Sequence, residues 1–333
     1  MDRVFFAAPF LSALAVVAVA GCAGSAIRPT LPDAVPATPE RLARGNYLVN
    51  AVAACGVCHT PRVGDSWLGG ERTDAFLGGG SVFHDQQEGL RIATPNVSQD
   101  RETGVGGWTD DQLMRAIRDG VSHDGRLMTA LMPFLPWERM SDEDARAIVA
   151  YLRTTPSVKR PINRADDRIG FTYRMAMRVG AIHHRPAREV KAPERADPKA
   201  YGAYLAKLGI CWQCHSLGEH GPTDDADVLM SGSRVPLDDP DYGKVYARNL
   251  TPDRDTGLGR YSPAQIKQAL RTGRRLDGRA MAPPMSLLIP HLSTWTDEDL
   301  DALIAYLLAL PPIKHQPPEP ELTPAARRMM ASP

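Results

Sequence analysis

One five-residue pattern, Cys-x-x-Cys-His, occurs twice in the sequence, at residues 55–59 and again at 211–215. This pattern is the attachment signal for a c-type haem. Two thiols three residues apart lie about one helical turn apart, so both can form thioethers with one porphyrin while the adjacent imidazole binds the iron. The sequence therefore predicts two covalently bound haem c groups. The predicted attachment and proximal-ligand residues are Cys55, Cys58, His59, Cys211, Cys214 and His215.

Cysteine usage argues against the other roles of a Cys-x-x-Cys pair. The chain has five cysteines, of which four lie in the two motifs and the fifth is Cys22. A disulfide framework would scatter its cysteines along the chain. A zinc ribbon would place its two cysteine pairs nearer to each other than residues 55 and 211. Haem attachment is therefore favoured over zinc binding and over dithiol redox chemistry.

The composition excludes some partners and indicates the kind of core. Lys plus Arg and Asp plus Glu both number 39, so the formal net charge of zero favours neither nucleic acid nor a strongly acidic partner. The 333 residues are enough for two domains with linkers. Aromatic residues make up only 6%, whereas there are 28 Gly and 29 Pro. Loop-rich domains whose core is completed by a large flat cofactor fit this balance.

The two halves of the chain are related by an internal duplication. The segment 96–106 recurs at 249–259 with an offset of 153 residues, and the same offset relates Met132 to Met285. The two Cys-x-x-Cys-His motifs are offset by 156 residues and the last helices by 155. Small insertions over more than a hundred matching residues indicate one domain written twice.

Helical signals occur at equivalent places in both halves, and no run with strand periodicity competes with them. Thr109 and Ser262 each begin a capping box. Ser141 and Thr296 each precede three acidic residues that favour a helix start. The predicted organisation is a signal segment at 1–21, a tether at 22–39, a first domain at 40–160, a connector at 161–198, a second domain at 199–315 and a loosely ordered Pro-rich tail at 316–333.

The N-terminal segment predicts export and attachment to a membrane. Arg3 is followed by an almost wholly apolar run that ends in Val19-Ala20-Gly21-Cys22, which resembles the lipobox of bacterial lipoprotein signal peptides. Cys22 is the predicted lipidation site, after cleavage of residues 1–21. An uncleaved membrane anchor is the alternative, because about 17 apolar residues are borderline for spanning a bilayer. Either arrangement places the domains on the periplasmic side of the membrane.

The sixth position on each iron decides between electron transfer and catalysis. Met132 and Met285 are the favoured ligands, because they occupy equivalent positions in proline-stiffened loops. Met128 and Met281 are aligned as well and stay as rivals. Histidines outside the motifs do not repeat between the halves, and surface or hydrogen-bonded roles are favoured for them. These histidines include His84, His123, His183, His184, His220 and His291.

Two further features of the repeat have open roles. Asn96 and Asn249 could hydrogen-bond a haem propionate or another ligand, or they could simply form turns, since Asn, Asp and Gly dominate turns for their own reasons. A carbonyl at Pro61 or Pro222, which follow the two motifs, could orient the proximal histidine.

With motif, Asn loop, Met-Pro loop and final acidic helix in this order, each half resembles a class I cytochrome c domain. The likeness is strongest to the cytochrome c subunits of membrane-associated bacterial alcohol, gluconate and sorbitol dehydrogenases, and it covers about residues 40–315. The resemblance implies an all-α fold of two tandem cytochrome c domains joined by an irregular connector. It also implies His/Met ligation of both irons and electron transfer from a periplasmic dehydrogenase towards quinone or a terminal oxidase.

The predicted function is that of a lipid-anchored dihaem electron carrier without catalytic residues of its own. The alternative is a dihaem enzyme, such as a cytochrome c peroxidase or a thiosulfate dehydrogenase. Such an enzyme needs one iron with an open or unusual sixth position, and the near-symmetric methionine loops disfavour that arrangement.

Overall fold

The computed structural model describes residues 34–85, 89–171, 174–175, 189–219, 221–275 and 277–331. The predicted signal segment, the lipidation site Cys22 and three of the histidines considered above (His183, His184 and His220) lie outside these ranges. Residues 172–173 and 176–188 of the predicted connector lie outside them too. Within the described ranges, no helix has the length and apolar character needed to cross a bilayer.

The chain is mostly helical, and both halves follow the same order of helices. The first half contains α1 Pro39–Tyr47, the π-helix Leu48–Val52, α2 Cys55–His59, the 3₁₀ turns Val63–Asp65 and Thr73–Ala75, α3 Asp110–Asp119, α4 Phe134–Trp137 and α5 Asp142–Leu152. The second half contains α6 Pro198–Leu208, α7 Cys211–His215, α8 Pro263–Thr272, α9 Met285–Leu292, α10 Asp297–Ala309 and α11 Pro324–Ala331. The capping boxes predicted at Thr109 and Ser262 are both present.

The structure is not strictly all-α, so that part of the fold prediction is wrong. Its antiparallel strands are β1 Val82–Asp85 with β2 Leu90–Ala93, β3 Leu217–Gly218 with β4 Gly221–Pro222, and a sheet of β5 Leu237–Asp239, β6 Gly243–Val245 and β7 Glu321–Leu322. Each strand has only two to four residues. Alternation over so few residues gives no periodic signal in a sequence.

The C-terminal segment is ordered by packing, which corrects the prediction of a loose tail at 316–333. Strand β7 extends the sheet of the second half by pairing with β6. Helix α11 follows it and buries Ala326 completely. The backbone carbonyl of Pro317 accepts a hydrogen bond from Arg248 (2.8 Å). The proline-rich C-terminal segment therefore packs against the second half.

The first and last helices of each half cross at very short range, and a glycine makes the crossing possible. A Cβ atom on Gly45 of α1 would lie 2.0 Å from the Ala147 carbonyl oxygen of α5. A Cβ atom on Gly202 of α6 would lie at the same 2.0 Å from the Ala302 oxygen of α10. Only a residue without a Cβ atom allows the two backbones to pack this closely.

One extra residue distinguishes the first half and is accommodated in a π-helical turn. The segment from Tyr47 to Cys55 is one residue longer than the equivalent segment from Tyr204 to Cys211. In the first half the Ala53 amide bonds the Leu48 carbonyl five residues back (2.8 Å), whereas α6 is a regular α-helix. Such π turns keep a helix intact around an inserted residue.

The two halves pack together through reciprocal tryptophan contacts. The indole Nε1–H of Trp137 in the first half donates to the Leu208 carbonyl of the second (3.0 Å). Conversely, the indole of Trp295 donates to the Ala51 carbonyl (3.0 Å). Both tryptophans are almost fully buried, and both accepting carbonyls lie just before a Cys-x-x-Cys-His motif.

A pair of equivalent tyrosines repeats this reciprocity. The Tyr204 hydroxyl donates to an Asp144 carboxylate oxygen (2.6 Å) and accepts from the Ser141 amide (3.1 Å). The Tyr47 hydroxyl makes the same two bonds in the opposite direction, to an oxygen of Asp299 (2.9 Å) and from the Thr296 amide (3.1 Å). The two halves therefore face each other with approximate twofold symmetry.

Candidate haem sites

Each Cys-x-x-Cys-His motif forms a short helix that begins from a strained residue. Helix α2 follows Ala54, whose φ is 46°, and α7 follows Ile210, whose φ is 54°. Residues other than glycine rarely adopt this left-handed backbone conformation, and β-branched residues such as isoleucine adopt it least of all. Such residues persist where the surrounding structure dictates them, often at functional sites. Nothing in the residue types Ala and Ile marks these positions in the sequence.

The four motif cysteines are not disulfide-bonded. Burial raises the pKa of Cys55, Cys58 and Cys211 to about 12, and that of Cys214 to about 11. The thiols are therefore neutral at physiological pH. Cysteine pairs in dithiol redox motifs usually have a lowered thiol pKa, so this environment disfavours dithiol redox chemistry.

The motif histidines are held with one nitrogen engaged by a backbone carbonyl. His59 Nδ1 lies 2.9 Å from the Pro95 oxygen, and His215 Nδ1 lies 2.7 Å from the Arg248 oxygen. Because a carbonyl only accepts, Nδ1 carries the proton and the Nε2 lone pair is left for a metal. Burial lowers the pKa of both imidazoles and keeps them neutral, as iron ligation requires.

The orienting carbonyl comes from the loop before Asn96 or Asn249, so the prediction that Pro61 or Pro222 supplies it is wrong. Equivalent glycines bring the loop close. The Gly79 amide donates to the His59 carbonyl (2.6 Å), and a Cβ atom on Gly79 would lie 2.5 Å from the Asn96 nitrogen. Gly232 bonds the His215 carbonyl in the same way (2.8 Å).

Asn96 and Asn249 hold this loop in shape. Asn96 Nδ2 donates to the Val158 carbonyl (2.7 Å), and its Oδ1 accepts from the Ser98 amide (2.9 Å). Asn249 makes the matching bonds to the Ile313 carbonyl (2.7 Å) and from the Thr251 amide (2.9 Å). Both side chains are buried and engaged within the protein. Of the two roles left open by the sequence, the structure favours turn formation.

The candidate methionines occupy equivalent places in the two halves. Met132 lies just before α4, Met285 is the first residue of α9, and both are partly buried against the main hydrophobic core. The rivals Met128 and Met281 each close a turn, their amides bonding the carbonyls of Gly120 (2.7 Å) and Gly273 (2.8 Å). Ligation by Met132 and Met285 stays a prediction.

The two motifs adjoin each other across the interface between the halves. Gln213, inside the second motif, donates from Nε2 to the Ala130 carbonyl of the first half (3.1 Å). The thiols of Cys58 and Cys214 are close enough for their electrostatic interaction to contribute to the raised pKa of Cys58, although burial is the larger cause.

Unpaired polar atoms beside the second motif indicate that another group completes it. Trp212 Nε1, Gln213 Oε1 and Ser286 Oγ are buried without a hydrogen-bond partner, and buried polar atoms are normally paired. Two of these atoms lie within the motif, and Ser286 follows Met285. These unpaired atoms, the neutral thiols and the imidazoles whose Nε2 is free form an environment that fits a haem.

Comparisons with known proteins agree with this geometry. Residues 40–152 match the family "Cytochrome C oxidase, cbb3-type, subunit III". The fructose dehydrogenase cytochrome subunit of Gluconobacter japonicus is 28% identical over 308 residues, covering 90% of this chain and 59% of the relative. The gluconate 2-dehydrogenase cytochrome c subunit of Pantoea cypripedii is 31% identical over 281 residues, covering 80% and 59%. A diheme cytochrome c-type protein of Cereibacter sphaeroides is 26% identical over 315 residues, covering 90% and 97%.

Residues 40–152 are thus a cytochrome c-type domain. Over most of its length the chain is related to the cytochrome c subunits of fructose and gluconate dehydrogenases and to a diheme cytochrome c, which confirms the resemblance found in the sequence. The chain spans about three-fifths of the length of the two dehydrogenase subunits.

Proposed function

We propose that this protein is a dihaem c-type cytochrome that transfers electrons. The observation that carries the proposal is the duplicated motif whose histidine is buried, neutral and bonded through Nδ1 to a carbonyl, in a chain related to cytochrome c subunits. The haems would be attached at Cys55, Cys58, Cys211 and Cys214. The iron ligands would be His59 with Met132 and His215 with Met285.

A bound haem supplies a one-electron iron centre whose potential depends on its axial ligands. The carbonyls of Pro95 and Arg248 fix the tautomer and orientation of each proximal imidazole. The methionine loops would close the opposite face and keep reactants from the iron. Since both motifs lie beside the interface between the halves, electrons would pass from one site to the other within a single chain.

The donor would be a periplasmic dehydrogenase, because the relatives include subunits named for fructose and gluconate dehydrogenases. The acceptor would be a quinone-linked protein or a terminal oxidase. Lipidation of Cys22 would hold the cytochrome at the periplasmic surface of the membrane, where tethering raises its effective concentration near both partners.

Spectroscopy of the purified oxidised holoprotein tests the proposal. Two low-spin haems, each with the weak methionine-to-iron absorption band, are expected. Met132→Ala and Met285→Ala should each convert one haem to the high-spin form and lower its potential, because the thioether favours ferrous iron. The matched controls Met128→Ala and Met281→Ala should leave both haems low-spin.

The same measurements separate this function from that of a dihaem enzyme. A wild-type protein with a high-spin haem that binds cyanide or peroxide would overturn the carrier proposal and favour the enzyme. A high-spin haem in Met128→Ala or Met281→Ala, with no change in the Met132 or Met285 variants, would transfer the ligand role to the rival methionines.

A further inference from the structure

A histidine of the second half reaches into the surroundings of the first motif. His291 lies on α9, and its Nδ1 is 2.6 Å from the Asn50 carbonyl in the π-helix of the first half. Its Nε2 is 3.1 Å from Oε1 of Glu71. The imidazole is therefore clamped between two groups of the other half, with 15% of its side chain exposed.

Both partners of this imidazole are acceptors of hydrogen bonds. A backbone carbonyl cannot donate, and an ionised carboxylate cannot donate either. A neutral imidazole carries only one N–H, so both contacts are satisfied only when His291 is protonated. Although burial alone would lower the pKa of His291, the bonds to Glu71 and to the Asn50 carbonyl outweigh it and raise the pKa above its usual value.

Glu71 connects the imidazole to the first motif. A Cβ atom on Gly56, between the two motif cysteines, would lie 3.2 Å from Oε2 of Glu71. The buried guanidinium of Arg62 lies 3.7 Å from Oε1 of Glu71 and donates to the Val57 carbonyl (3.0 Å). The charges that act on the imidazole are thus those of Glu71 and Arg62, and from the π-helix the Asn50 carbonyl faces it.

Among the residues that the structure describes, the second site has no equivalent of this arrangement. At the offset of the two motifs, Arg62 corresponds to Gly218, and Glu71 corresponds to Asp227, which is exposed. With the two interface tryptophans aligned, His291 corresponds to Pro133. The π-helix that contains Asn50 is likewise confined to the first half, because the second half lacks the inserted residue.

We propose that His291 is a positioning residue that the second half contributes to the first haem site, and that its proton is coupled to the electron held there. The inference rests on the proposed function. An oxidised site carries one more positive charge than a reduced site, so it repels the imidazolium more strongly. When the donor protein delivers one electron to the first site, His291 therefore takes up a fraction of a proton from water.

Potentials measured against pH in the full-length holoprotein test the coupling. The first haem, identified as the one altered in Met132→Ala, should have a potential that falls as pH rises through the titration of His291. His291→Gln should lose this fall at the first haem, and the second haem should keep its wild-type profile. The matched control His315→Gln removes a half-buried histidine of the same half that bonds a carbonyl, and it should retain the wild-type profiles.

Titration of the His291 ring by NMR in the reduced protein gives a readout without potentials. We expect its pKa above 6.5 in the wild type and lower in Glu71→Gln. If the potential of the first haem falls with pH in His291→Gln as it does in the wild type, the proposal is overturned. A pKa of 6.5 or below for the His291 ring would overturn it too. Either result can occur in a protein with two low-spin haems, so it is distinguishable from failure of the electron-carrier function.

Discussion

At the scale of single residues, the sites depend on which atom of each side chain is already engaged. The Nδ1 atoms of the proximal imidazoles are hydrogen-bonded to backbone carbonyls, which leaves Nε2 for iron. The buried asparagines of the repeat donate hydrogen bonds to backbone carbonyls of the segments that follow α5 and α10. Residue type alone could not separate these two cases, because both His and Asn can serve as ligands or as structural residues.

Asn96→Ala should therefore destabilise the protein while both haems stay attached and low-spin. The change removes the hydrogen bond from Asn96 Nδ2 to the half-buried Val158 carbonyl (2.7 Å), which costs about 0.5–1.5 kcal/mol in the free energy of unfolding. Chemical denaturation measures this loss, and absorption and EPR spectra report on the iron. The matched variant Asn249→Ala should behave alike in the second half. Loss of haem from either variant, with stability unchanged, would instead indicate that the asparagine hydrogen-bonds a haem propionate or another ligand.

The sequence predicted the cysteine and histidine positions because thioether attachment demands a fixed spacing. It could not predict the orienting carbonyl, since any residue offers one and its position depends on how the loop at Pro95 packs. The left-handed residues Ala54 and Ile210 were equally hidden. Their conformation is imposed by the surrounding fold against the preference of the residue types.

At the scale of secondary structure, the close crossing of α1 on α5 and of α6 on α10 forms the frame of each half. Gly45→Ala and Gly202→Ala should each destabilise the protein by about 1–3 kcal/mol or more, because the new methyl group forces the helix backbones apart. Thermal unfolding measures the change.

Gly70→Ala is the control for these glycine variants, since a Cβ atom there meets nothing within 4 Å. A substitution of this kind usually stays within about ±0.5 kcal/mol. Equal effects in all three variants would show that the loss of glycine, and not the helix crossing, determines the stability.

Helix starts were predictable because a cap is a local feature: Thr109 and Ser262 satisfy the first amides of their own helices. The β-strands and the helix at Pro324–Ala331 were not predicted. Strand β7 forms because the C-terminal segment reaches the edge of β6, which is a long-range event. The π-helix was also missed, although the one-residue difference between the halves was its signal.

At the scale of the whole molecule, the reciprocal tyrosine and tryptophan contacts make the two halves one packed unit. Tyr47→Phe combined with Tyr204→Phe should separate their unfolding. Tyr47→Phe removes two hydrogen bonds across the interface and Tyr204→Phe removes three. Each change costs about 1–3 kcal/mol where the partner stays buried. Scanning calorimetry should show one transition in the wild type and two in the double variant.

Tyr151→Phe is the control for this prediction, because the Tyr151 hydroxyl accepts from Asn50 within the first half. It should lower stability without splitting the transition. A single transition in the double variant would mean that the apolar contacts alone keep the halves cooperative.

The reciprocal packing of the halves has a kinetic consequence for the proposed cytochrome. Two separate one-haem proteins that met through this symmetric surface would dissociate on dilution, and their exchange of electrons would slow with concentration. Because the connector joins the halves, each site meets the other at a fixed local concentration. Passage between the sites becomes first order, so its rate should be the same however scarce the protein is in the cell.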